Sequence, residues 1–131
     1  MTQMSVRLTS MPVALRVISA VFLFATGLIH LFLVFDGVGG TLGVLFVLNA
    51  VAGIVLGVAM LLLRGRLLAV TSLLGLLFLV ASLLALLLAL TVGLFGIMET
   101  WTFTLVPETV IVEAIGVALL AWATARAFRR A

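Results

Sequence analysis

Four apolar runs, each long enough to cross a bilayer, fill most of the chain between Val13 and Phe128, with only short breaks between them. A hydrocarbon core about 30 Å thick takes about 20 helical residues to cross. Within it every backbone polar group must find its partner inside the protein. The runs therefore predict helices at about 13–35, 42–63, 67–90 and 107–128. Composition leaves no soluble option: 66% of the 131 residues are hydrophobic, 8% are charged and mean hydropathy is +1.56. Soluble domains carry roughly 25% charged residues. The expected fold class is all-α, an integral membrane four-helix up-down bundle with short connections, forming one domain.

The breaks have turn chemistry. "DGVGG" (Asp36 to Gly40) ends the first run, and Thr41 is a plausible N-cap for the second. "RGR" (Arg64 to Arg66) separates the second from the third. The stretch Thr91 to Pro107 is longer and less uniform. Gly93, Gly96, Glu99 and Trp101 suit an interfacial connection with an aromatic anchor, folded over the bundle end as a lid. Pro107 and Glu108 suit the first turn of the last helix. The basic lead with Arg7 resembles the start of a signal peptide. The apolar run that follows is too long for one and lacks a small-residue cleavage site, so no cleavage is expected.

Net charge is +3 and all seven basic residues are arginines: Arg7, Arg16, Arg64, Arg66, Arg126, Arg129 and Arg130. In a four-span chain they all fall at one end, while Asp36, Glu99 and Glu108 fall at the other. That asymmetry predicts cytoplasmic N- and C-termini in a plasma membrane, and argues against dual topology. The arginines lie at helix ends and form no stripe with aromatics, so the expected partner is the lipid bilayer and not nucleic acid. Cysteine is absent, which excludes disulfides and thiolate metal sites.

Each run carries a stripe of small or polar residues at helical spacing, as membrane helices need to pack closely. The stripes are Ser19, Leu23, Thr26, Gly27 and His30; Asn49, Gly53 and Gly57; Ser72, Gly75, Leu79, Ser82 and Ala89; and Thr109, Glu113, Gly116, Leu120 and Thr124. Four members are more than spacers. At about 1.5 Å per residue, His30 and Glu113 both lie about 9 Å below the outer edge, with Asn49 and Ser82 within about a turn of that depth. An intramembrane carboxylate must face the bundle and find a partner. His30, Asn49, Ser82 and Glu113 therefore form the candidate polar cluster, and His30 and Glu113 are expected to approach each other. The cluster serves either to fix helix register or to hold a ligand or proton, and both readings stay open.

No metal ligand set, phosphate loop or nucleophile–base pair stands out, so no cofactor, no metal and no enzymatic activity are expected. One histidine cannot form a bis-histidine haem site within a chain. "LFVLNAVAG" (Leu45 to Gly53), "TVGLFGIMET" (Thr91 to Thr100), "GLIHL" around His30 and the glutamate of the last span together resemble a group of small uncharacterised four-helix membrane proteins of actinobacteria. That resemblance implies the architecture and no mechanism. Small multidrug transporters have a similar size but carry their essential glutamate in the first span, where this chain has His30. The expected function is a non-enzymatic accessory subunit or a module binding a lipid or apolar ligand under a lid at Gly93 to Phe103. The alternative is a small oligomeric transporter or proton-coupled carrier. Possible partners are further copies of the chain or a larger membrane complex.

Overall fold

The computed structural model describes residues 11–129; Arg7, Arg130 and the rest of the polar lead lie outside the described residues. Among the described residues there are four helices: α1 Val13–Phe35, α2 Gly40–Leu62, α3 Gly65–Thr91 and α4 Val106–Arg129. All four are long and apolar enough to cross a membrane. They form a closed ring in which α1 packs on α2 and α4, and α3 packs on α4 and α2. Contacts run in opposite directions along each neighbouring pair, Arg16 with Met60 and His30 with Phe46 for α1 and α2, so the bundle is up-down. Large apolar side chains such as Val55, Leu77 and Ile111 stand exposed around the outside, as a protein solvated by lipid requires. This is an integral membrane protein.

Leu23, Leu79 and Leu120 are fully buried around mid-bundle and Met60 toward the arginine end, where the Ser72 hydroxyl lies 3.6 Å from the Met60 sulfur. The small-residue stripes turn inward. A Cβ on Gly53 would stand 2.8 Å from the Leu23 carbonyl oxygen and 3.0 Å from the Gly27 Cα, so α1 and α2 meet backbone to backbone. A Cβ on Gly57 would instead meet the ring of Phe24 first. Glycine at these places is what lets two helices approach.

The helix ends differ from expectation in three places. Thr41 does not cap α2: the helix starts at Gly40, whose φ of +64° suits glycine, and Gly39 is the cap residue without a side-chain bond. The "RGR" turn shrinks to the extended pair Leu63–Arg64, because Gly65, with φ of +60°, already opens α3. Arg16 is not only an orientation charge. Its guanidinium donates to the carbonyls of Met60 (3.1 Å), Leu61 (2.9 Å) and Leu63 (2.9 Å), satisfying the last turn of α2. Those carbonyls carry the negative end of the helix dipole and have no partner within the helix. An arginine on one helix thus closes the end of the next.

Candidate functional site

At the end away from the arginines the ring loosens between α2 and α3, and a cavity of about 470 Å³ opens there. The reason is visible in the residues. The face of α3 turned to the gap is Phe78, Ala81, Ser82, Ala85 and Ala89, mostly small, and α2 opposes it with Leu45, Leu48 and Asn49. Leu48 and Ala81 are at once part of the wall and exposed on the flank of the bundle, so the cavity is a cleft open sideways between the two helices. Its size falls within the range of about 300–1,000 Å³ seen for small-molecule sites.

The connection between α3 and α4 closes the cleft from above. Gly93, with φ of +96°, ends α3 by returning its N–H to the Leu88 carbonyl. Leu94 and Ile97 then exchange two backbone hydrogen bonds, of 2.9 and 2.8 Å, around a tight turn. Both central residues of that turn, Phe95 and Gly96, have positive φ (51° and 77°), a conformation that phenylalanine seldom adopts. The Glu99 N–H bonds the Ala89 carbonyl at 2.8 Å and ties the segment to the end of α3. Glu99 and Phe103 line the cleft, while Trp101 points out of it and is exposed.

Near the inner end of the cleft three helices are joined by polar side chains. Asn49 on α2 donates through Nδ2 to the Ser82 hydroxyl on α3 at 2.9 Å. Ser82 in turn donates a short hydrogen bond to Oε2 of Glu113 on α4. Asn49 and Ser82 reach the cleft wall; Glu113, with no exposed surface, stands behind them. Two acceptors in this chain, Asn49 Oδ1 and Glu113 Oε1, are buried without a partner. Buried polar atoms are almost always bonded to protein or to something held with it.

His30 departs from the expected pairing. It does line the cleft, but its Nδ1 bonds the Thr26 carbonyl at 2.8 Å and its ring stands edge-on to Phe46, with centroids 4.7 Å apart. No bond joins it to Glu113, whose side-chain partner is Ser82. Two residues can share a depth and still sit at different angles around the bundle axis. Nδ1 facing a carbonyl must carry the proton, which leaves Nε2 as the ring's free nitrogen. The site also draws on Phe46, Ala81 and Ala85, which the sequence alone does not single out. The four-residue spacing of Ala81, Ala85 and Ala89 is a signal, but the same spacing equally denotes close helix packing.

No cluster of three or more metal-ligating side chains occurs among the described residues. The arrangement can do two things chemically: accept an apolar chain sideways from the bilayer, and offer it a few hydrogen-bonding groups at depth. No family model, curated protein or solved structure matches the chain.

Proposed function

We propose that this membrane protein is a non-enzymatic module that takes a chain-bearing apolar ligand from the surrounding lipid through the α2–α3 cleft. One observation carries the reading: the cleft opens on the lipid-facing flank, has an almost wholly apolar wall, and ends at the Asn49–Ser82–Glu113 chain with unpartnered acceptors. Binding sites for small molecules share that design, an apolar pocket with a few placed polar groups. Filling the cleft tests it. Ala85→Phe places a ring in open space, so it should leave the thermal transition unchanged and cut binding of a photoactivatable alkane by at least about tenfold, a change of about 1.4 kcal/mol. Unchanged binding would mean that the alkane sits elsewhere.

The proposed setting is a plasma membrane with both termini cytoplasmic and the cleft in the outer half. Its support is the gathering of Arg16, Arg64, Arg66, Arg126 and Arg129 at one end of the bundle. Reporter fusions at Ala131 and after Gly40 should be active on the cytoplasmic and the opposite side respectively. The reverse pattern would invert the protein and put the cleft in the inner leaflet.

A further inference from the structure

We infer that the cleft selects a chain whose head donates hydrogen bonds, an alcohol or an amine, over one with an ester, carboxylate or phosphate head. This rests on the ligand-binding reading above, and the hydrogen-bond inventory of the cleft takes it further. Ser82 has a single hydroxyl proton and gives it to Glu113 Oε2, so toward Asn49 it can only accept. That fixes the Asn49 amide with Nδ2 toward Ser82 and leaves Oδ1 as a buried acceptor without a partner. His30 commits its Nδ1 proton to the Thr26 carbonyl, and in the uncharged ring Nε2 then accepts as well. Thr109, also on the wall, spends its hydroxyl proton on the Leu105 carbonyl at 2.6 Å. What the inner wall leaves over is mostly acceptors, the exception being the second Nδ2 proton of Asn49; the Thr104 hydroxyl lines the cleft at the connection between α3 and α4.

Charge points the same way. The lining includes one carboxylate, Glu99 near the lid, and no arginine, in a chain that has no lysine. An anionic head would enter a low-dielectric cleft with no cation to pair it and with a like charge in the lid, which is unfavourable. An ester brings only acceptors and would leave Asn49 Oδ1 as bare as before. A hydroxyl or amine can donate to His30 Nε2, and to Asn49 Oδ1 once that amide turns its occluded oxygen toward the head; leaving a buried acceptor unmet has a cost that the donor head removes.

The test is a competition series on the full chain in phosphatidylcholine nanodiscs, with the same photoactivatable alkane as the displaced probe. The competitors share a chain and differ in head: hexadecanol, hexadecylamine, methyl palmitate, palmitic acid and hexadecane. Hexadecanol, hexadecylamine or both should displace the probe at about tenfold lower concentration than the other three, a difference of about 1.4 kcal/mol. Asn49→Leu combined with His30→Phe, which removes both acceptors, should erase that preference. A preference for the amine alone that Glu99→Gln abolishes assigns the head to the cationic class, whereas hexadecanol matching the amine assigns it to the neutral class. Bound probe with all five competitors equal overturns the inference while the cleft reading stands. Methyl palmitate or palmitic acid leading overturns it too, because the hydrogen bonds would then run from Glu113 toward Asn49. A probe that does not bind at all removes the cleft reading and this inference with it.

Discussion

Ser82→Ala should destabilise the bundle by about 2–3 kcal/mol, far more than the loss of one hydroxyl on a membrane helix would suggest. Ser82 is the middle of a chain: it accepts from Asn49 and donates to Glu113, so its removal strands groups on two other helices. A buried hydrogen-bonding partner left unmet carries its full desolvation penalty, about 1–3 kcal/mol, and here two partners are left. The effect should shrink when the whole chain is made apolar. In Asn49→Leu/Ser82→Ala/Glu113→Leu no polar group is left stranded, and apolar replacements of buried polar sets are often neutral or better. Urea or thermal unfolding in detergent would read this as strong non-additivity among the three positions. His30→Phe combined with Glu113→Leu should instead be additive, since no bond links the two. Non-additivity there, and additivity within the Asn49–Ser82–Glu113 set, would reverse the assignment of partners.

Gly53→Leu should prevent α1 and α2 from docking. The atoms a Cβ would meet at Gly53 are backbone, the Leu23 oxygen at 2.8 Å and the Gly27 Cα at 3.0 Å, and backbone cannot rotate aside. Overpacking of a close interface costs about 1–3 kcal/mol and sometimes more. Gly53→Ala should therefore already cost an amount in that range, and the larger leucine should leave no cooperative thermal transition. Gly57→Leu should be milder, because the obstacle there is the Phe24 side chain, which can change rotamer. Equal losses at the two glycines would show that the α1–α2 approach is not the tight point of the bundle.

These two results depend on features of unequal legibility in the sequence. The helices were plain, because hydropathy and length determine what lipid will accept, and their expected bounds differ from the observed ones by one or two residues at most ends. Depth was also readable, since rise per residue is fixed: His30, Asn49 and Ser82 all reach one cleft, with Glu113 one side chain behind it. Angle around the bundle axis was not, which is why depth alone paired His30 with Glu113. Arg16 read as an orientation charge because nothing in a sequence shows that α2 ends beside it. The cleft itself was hidden by an ambiguity: Ala81 and Ala85 are the residues that close packing uses and also the residues that leave a gap. Which of the two holds is settled only by where the neighbouring helix sits, and here α2 stands away from α3.

Lipid-phase ligands are proposed to enter the bundle through this gap, and mapping the attachment sites of a photoactivatable alkane in nanodiscs decides whether they do. Attachment should concentrate on cleft residues of α2, α3 and the lid, such as Leu45, Ala85 and Phe103, above equally apolar outer positions such as Val55 and Leu77. Attachment spread evenly over the exposed apolar residues, with the cleft no richer than the outer faces of the helices, would contradict it.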